Sequence, residues 1–592
     1  DWSLPCELEE VKADSFFEAV GLVPRFIMKE RKIPLLYETE DTFVKELETT
    51  AIPAVHILEK GRIRVDAGEK KKLILDAGKI VNGYPCFSFR GGKGTQIRIT
   101  YFEKFDHETK IIQRDDAENG TISGITDCIV LSGEPVVYEP FWYRTFRFLY
   151  IEIKVKDEAA EVHAPIFRKT GYPLEAISHV KSSEPWVGEL WSMCVHTLEN
   201  CMMETYMDCP YYEQMQFPMD TRLQALFTYM VSGDVRLAGK ALEDYHCSII
   251  PEGLIHGKYP SAYTQIISTF SLHYIYMLWE YFWQTGELRE VRKYFPDMDR
   301  ILDYYDRKIE EDGLVGRLGY WEFVDWQDAW SETGGIPAAL LHGPSAIINL
   351  MYAYALMCAA KLNETAGRTG IAEEYRKRRS DILKQIQVQC WDEERKMYRE
   401  GPSFVQYTCH AQAWAVLNCL PDEETAKSIL RHAAEEKDVL KCSFSTAYEW
   451  FRACEQAGVY EYTKPDLKRW IELPALGCTC CPETPGNTRS DCHAWSALPM
   501  YELICGMAGI RAGGAGWKSV RINPHLEELA DLEGQVTTPK GNVEFVYRRK
   551  ENVTDCNGGW NYHIVLPAGL DGEFIDEDGN VTMLQGGRPY DL

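Results

Sequence analysis

Asp208-Cys-Pro-Tyr-Tyr-Glu-Gln-Met-Gln-Phe-Pro-Met-Asp220 interrupts a helical pattern with an irregular, acid-bearing segment. Pro210 and Pro218 cannot sit inside a helix without breaking it. The segment therefore reads as a loop between helical stretches at 186–204 and 219–231. Apolar positions recur at three and four residues there, and again in 264–286, 345–366, 371–390, 406–418 and 491–507. Helices at this density between 180 and 508, joined by aromatic-rich loops, suit a closed (α/α)6 toroid. Periodicity alone does not separate that toroid from an open solenoid.

Either side of the helices the period changes to two. Cys86-Phe-Ser-Phe-Arg90 alternates, Gly91-Gly-Lys-Gly94 turns, and Thr95-Gln-Ile-Arg-Ile-Thr-Tyr-Phe102 alternates again, which predicts a hairpin. Thr145-Phe-Arg-Phe-Leu-Tyr-Ile-Glu-Ile153 repeats the pattern, as do Ser519–Pro524 and Asn542–Arg548. The expected order is a linker or domain remnant at 1–30, a β-sandwich at 31–175, a helical catalytic domain at 176–508 and a second β-sandwich at 509–592.

A chain of 592 residues is too long for one ordinary core. A formal charge of −26 repels nucleic acid and anionic membranes, and favours a neutral substrate. No apolar run approaches the length of a membrane span. The 16 Trp and 33 Tyr suit sugar rings as well as cores. The 19 Cys are an odd number scattered along a large chain, which predicts reduced, buried thiols and a cytoplasmic protein. The chain opens on a polar stretch without Met, so a leader or an upstream domain could have been removed, and secretion stays open. Cys478, Cys480 and Cys481 do not match zinc-site spacing, and no metal or organic cofactor is expected.

The acids are the candidate chemistry. Glu213 lies among Tyr211, Tyr212, Met215 and Phe217. An apolar niche raises a carboxyl pKa and suits a general acid. Asp220 follows Pro218 at a helix start, where a carboxylate stays ionised. Each acid also has an ordinary reading: Asp208 as a turn residue, Asp220 as a helix-start residue, Glu213 as a solvated loop acid. The second dense motif is Cys478-Thr-Cys-Cys-Pro-Glu-Thr-Pro-Gly-Asn-Thr-Arg-Ser-Asp-Cys-His-Ala-Trp495. Glu483 sits between two prolines on a stiff loop, ahead of a helix expected from Asp491 that carries His493 and Trp495. A carboxylate displayed in this way can activate water. Otherwise Asp491 caps the helix and His493 is a core residue.

The two motifs together resemble the bacterial α-L-rhamnosidases of glycoside hydrolase family 78, over most of the chain. The resemblance implies an inverting hydrolase that releases terminal α-L-rhamnose from small rhamnosylated glycosides or oligosaccharides. It implies Glu213 as general acid and Glu483 as general base, with Asp208 and Asp220 holding hydroxyls or tuning the site. The run Trp321-Glu-Phe-Val-Asp-Trp326 resembles a family segment that lines the sugar pocket, implying Trp321, Asp325 and Trp326 as substrate-binding residues; His493 and Trp495 are placed with them. Two departures stand out: Pro218-Met219 replaces a small or glycine-containing pair, and the family's additional N-terminal binding domains are expected to be absent or truncated. The rivals are another toroid sugar enzyme (an unsaturated-glucuronyl hydrolase or a lyase) and a non-catalytic carbohydrate-binding protein. A lyase would want basic residues, of which Arg222 and Arg489 are available. Oligomeric state is left open, with a homo-oligomer allowed.

Overall fold

In a computed structural model, residues 30–107, 113–486, 488–526, 529–550 and 559–592 are described. The segment expected to be a linker or domain remnant lies, apart from residue 30, outside these. The N-terminal domain is built on one long strand, Lys70–Gly91, that belongs to two sheets. Its first half pairs antiparallel with Arg144–Lys154. The register then shifts between Asp76 and Val81, where Gly78 takes φ +84°. Its last residues pair with Gly133–Tyr138 and Ala160–His163 in the other sheet. Leu73, Leu75, Phe87, Phe89, Ile97 and Ile151 belong to one buried core.

The expected hairpin across Gly91–Gly94 is not formed. Gln96–Phe102 pairs with Arg144–Lys154 and Ile125–Val130, not with the strand before the turn. Period-two alternation identifies both strands but cannot choose their partners. The glycine turn, with φ of +69°, +63° and +80° at Gly91, Gly92 and Gly94, moves the chain between sheets instead.

The helical domain is a ring of inner and outer helices. Pro218–Ser232, Phe270–Thr285, Ala346–Thr365, Cys409–Leu417, Ala447–Gln456 and Leu498–Glu502 form the inner ring, each packing on the next. Outer helices such as Arg236–Cys247 and Glu423–Glu435 bury one apolar stripe and expose a charged face. The ring closes where Leu498–Glu502 packs on Pro218–Ser232 and on the outer helix Pro185–Asn200. This closure selects the toroid over the solenoid. At the centre Arg222 joins three inner helices, its Nε 2.9 Å from Glu280 and its Nη1 2.6 Å from Glu449. The guanidinium that was available to a lyase is therefore a buried structural cation.

Two helix boundaries differ from the periodic reading. The stretch expected from 264 becomes helical at Phe270, because Ile267 bridges to Trp321 in extended form. The helix expected from Asp491 begins with a short 3-10 turn at Ala494–Ser496. Asp491 lies instead in a bend ahead of that turn and is buried. Contrary to the sequence reading, one helix, Ala346–Thr365, is long and apolar enough to cross a membrane. It lies in the inner ring with 83% of its apolar window buried in the protein, and that accounts for its composition.

The C-terminal domain has a four-stranded and a five-stranded sheet. The five-stranded sheet takes in His179–Lys181, which precedes the ring and pairs antiparallel with Asp531–Thr538. Among the described residues every cysteine is free, and most are buried.

Candidate active site

The inner helices Pro218–Ser232 and Phe270–Thr285 bring their N-terminal ends to a cavity of about 560 Å³. Pro218 opens the Pro218–Ser232 helix, and its fixed φ suits the first helical position. The chain entering that helix is the first acidic loop. Asp208 closes this loop on itself: its N–H donates to Met215 O and its Oδ1 accepts from Met215 N–H, both at 2.9 Å. Gln214, the residue after Glu213, takes φ +56°, a left-handed conformation rarely adopted by non-glycine residues.

The second acidic loop faces the first. Glu483 N–H donates to Ser490 O at 3.0 Å, and Trp495 Nε1 donates to Glu483 O at 2.9 Å. These bonds fix the backbone on both sides of the carboxylate. The cavity is lined by Glu213 and Glu483 together with Asp208, Asp220, Trp321, Trp326, His493 and Trp495. Eight of the nine residues singled out from sequence therefore share one wall or another of it.

Asp325 is the ninth and does not line the cavity. It is fully buried, accepting from His410 Nε2 at 2.7 Å, Ser443 N–H at 2.9 Å, Ser445 Oγ at 2.6 Å and Thr446 Oγ1 at 2.8 Å. Burial pushes its carboxyl up, but these donors outweigh it and draw it down to about 2. These bonds fasten the Trp321–Trp326 segment to the helix Cys409–Leu417 and to the residues that lead into Ala447–Gln456.

Glu213 also differs from expectation. Its side chain is 32% exposed and its Oε1 accepts from Arg489 Nη2, so a guanidinium stands where an apolar wall was expected. Arg489 in turn lies over Tyr212, 5.0 Å from the ring centroid. Asp208 is not a free anion. Burial pushes it up to about 7, and it also accepts from Cys209 Sγ at 2.8 Å. His493 Nε2 lies 3.1 Å from Asp220 Oδ1. Burial works against its charge, but the bond to Asp220 and the nearby Glu483 and Asp208 carboxylates push the imidazole up to about 9. We place the proton on His493.

The donor atoms of Asp208, Cys209 and His493 lie within 4.8 Å of one another. Burial and the Asp208 carboxylate hold the Cys209 thiol well above its ordinary value, and His493 Nε2 is engaged by Asp220.

The N-terminal β domain holds both loops. Tyr211 Oη donates to Tyr101 O at 2.7 Å, and Thr145 Oγ1 to Pro210 O at 2.7 Å. Arg114 Nε lies 3.0 Å from Asp491 Oδ2, Lys104 Nζ 3.3 Å from Asp491 Oδ1, and Arg147 Nη1 donates to Gly477 O at 2.8 Å.

Three family models match in order. A six-hairpin glycosidase domain of bacterial α-L-rhamnosidases covers residues 175–446, their concanavalin-like domain covers 67–167, and their C-terminal domain covers 509–571. The chain belongs to the bacterial α-L-rhamnosidase family. Among solved structures, a family 78 rhamnosidase of Bacillus sp. GL1 is 24% identical at a TM-score of 0.76, over 87% of this chain and 55% of that one. A Klebsiella oxytoca rhamnosidase with rhamnose bound is 18% identical at 0.67, over 80% and 96%. A Streptomyces avermitilis α-L-rhamnosidase complexed with L-rhamnose is 16% identical at 0.69, over 90% and 53%. The chain thus spans about half the length of two of these relatives. Among curated proteins no sequence match is found.

In this family member the sequence reading missed Lys258, Gln265, Ile267 and Phe270, which line the same cavity. They lie on or beside the loop ahead of Phe270–Thr285, which was read as helix. Arg489 was weighed only as a possible lyase cation, though its place six residues after Glu483 was the available signal.

The His493–Asp220 pair makes a testable demand on pH. An imidazole whose pKa rises from its ordinary 6.5 to about 9 on folding contributes stability that is full below 6.5 and lost as pH rises through 9. In urea unfolding at pH 6, 7.5 and 9.5, the stability gap between wild type and His493→Gln should therefore narrow with rising pH. A constant gap would show that folding leaves the imidazole pKa unshifted.

Proposed function

We propose that the protein is an inverting α-L-rhamnosidase, with Glu213 as general acid and Glu483 as general base. The observation that carries this reading is one two-faced cavity. Glu213, Glu483 and the Asp220–His493 pair form its charged side, while Phe217, Ile267, Phe270 and Phe323 form an apolar wall. A 6-deoxy sugar matches both faces, with its methyl group on the apolar wall and its hydroxyls toward the acids. Gln265 Oε1 and His493 Nδ1 are buried without a hydrogen-bond partner, and hydroxyls would satisfy both.

In an inverting hydrolase the acid protonates the leaving oxygen while the base deprotonates water on the opposite face of the ring. The two carboxyl groups then stand roughly 6.5–9.5 Å apart. Glu213 must part from Arg489 to donate its proton, so the leaving oxygen takes the place of the guanidinium. Asp220, held by His493, offers an acceptor to a sugar hydroxyl. No step needs a cofactor. The substrate is a small rhamnosylated glycoside or oligosaccharide.

The test is a panel of p-nitrophenyl glycosides with the anomer of the released sugar followed by NMR. We expect α-L-rhamnoside cleavage with β-L-rhamnose released first, and weak or no action on glucosides and galactosides. Initial release of α-L-rhamnose would refute inversion. Hydrolysis of another glycoside with the rhamnoside untouched would refute the substrate.

A further inference from the structure

A second cavity, of about 210 Å³, lies at the other end of the helical ring. The catalytic cavity takes the N-terminal ends of Pro218–Ser232 and Phe270–Thr285; this one takes Tyr229, Trp279 and Trp283 from their C-terminal halves. The segment that follows the ring closes it. Gly516 N–H donates to Trp283 O at 2.8 Å, and Trp517 Nε1 donates to Gln284 Oε1 at 3.0 Å. A Cβ on Gly516 would meet Gly286 Cα at 3.1 Å, so the two backbones touch there. Trp517 itself holds φ +54°, an outlier for so large a side chain. Such conformations persist where the surrounding structure imposes them, and ligand clamps are among the places where they gather. Gln284, Arg452 and Arg511 line the cavity, the first two nine-tenths or more buried. Gln284 Nε2, Arg452 Nε and Arg511 Nη2 are buried without a hydrogen-bond partner. Buried donors call for an acceptor.

We propose that this cavity is a second ligand site and that it binds a neutral monosaccharide. Its volume exceeds the roughly 150 Å³ of a cavity that holds benzene and falls short of the roughly 300–1,000 Å³ of sites for drug-sized ligands, so one six-membered ring fits. Tyr229, Trp283 and Trp517 supply ring faces, which suit the C–H faces of a pyranose. Three free donors do not suit a cation. An anion is disfavoured because the guanidiniums are already matched. Arg452 pairs with Glu455 and Glu502, Arg511 with Glu455, and Arg222, behind the cavity wall, with Glu280 and Glu449. Sugar hydroxyl oxygens accept from all three donors without adding charge. A hydroxyl proton goes to the Glu280 carboxylate, which lines the same cavity. None of these residues lines the catalytic cavity, so the inference does not rest on the roles of Glu213 and Glu483.

The experiment labels the full chain with 5-fluorotryptophan and follows the fluorine NMR signals of Trp283, Trp517 and Trp495, each assigned by a single substitution to Phe. Trp283 and Trp517 report on this cavity, and Trp495 on the catalytic one. The protein is titrated with L-rhamnose, with D-glucose and with benzoate. We expect both sugars to shift Trp283 and Trp517 with a common midpoint, and benzoate to leave them in place. Ala512→Phe fills the cavity and should raise that midpoint at least about tenfold, while any Trp495 titration stays within about twofold. Trp283→Ala removes a wall without filling the space, and should raise the midpoint read at Trp517 about three- to tenfold. Trp283 and Trp517 unmoved by either sugar would mean that the cavity holds water only. Shifts with benzoate and not with sugar would make it an anion site. Sugar shifts that persist unchanged in both variants would place the ligand elsewhere. Each of these overturns the proposal. A silent Trp495 would count against sugar binding in the catalytic cavity and leave this site standing.

Discussion

Glu213→Gln should lose roughly 10²–10⁴-fold in kcat on methyl α-L-rhamnoside and far less on p-nitrophenyl α-L-rhamnoside. The alkoxide needs a proton as the bond breaks; the nitrophenolate leaves without one. Glu483→Gln should fall by a similar factor on both, because every substrate needs the attacking water to be deprotonated. Both residues line the same cavity on separately braced loops, so neither substitution should move the other carboxylate. Steady-state kinetics of the two variants on the two substrates decide the matter. Equal losses for Glu213→Gln on both substrates, or near wild-type rates for Glu483→Gln, would reverse or remove the assignment.

Asp325→Ala should destabilise the protein by about 3–5 kcal/mol, because it leaves buried donors without an acceptor. His410 Nε2, Ser443, Ser445 and Thr446 all converge on this one carboxylate. Its folded pKa of about 2 lies below the ordinary carboxylate value, so its contribution is present above about pH 4 and is lost as pH falls toward 2. Urea unfolding at pH 7 and at pH 3 reads both effects. A variant that unfolds like wild type but loses substrate affinity would return Asp325 to the sugar pocket.

The misplacement of Asp325 shows where sequence reading stops. Trp321-Glu-Phe-Val-Asp-Trp326 has the acids and aromatics of a sugar site, and Trp321 and Trp326 do line the cavity. The neighbouring carboxylate turns away to donors more than 80 residues further along the chain. Nothing local announces such a partner. Glu213 was legible as a loop acid because two prolines exclude a helix, while Arg489 on its carboxylate comes from a loop 276 residues away. Five of the six inner helices were legible from their period; Ala447–Gln456 fell outside every periodic stretch. Ring closure was not, since it depends on the first and last helices meeting. The β domain read as strands, but its grip on both acidic loops is entirely long-range.

The pairing of His179–Lys181 with Asp531–Thr538 has a consequence for synthesis on the ribosome. Ser182 and Asp531, which bond beside the strand His179–Lys181, are 349 residues apart. At 5–20 residues per second, the early strand emerges on the order of tens of seconds before its partner exists. Throughout that interval the nascent chain carries an unpaired strand edge and an unclosed ring, the kind of surface on which chains aggregate. The N-terminal β domain, complete by Gly171, needs nothing downstream to fill its own core. It is positioned to fold first and to act as a template against which the two acidic loops dock as they arrive.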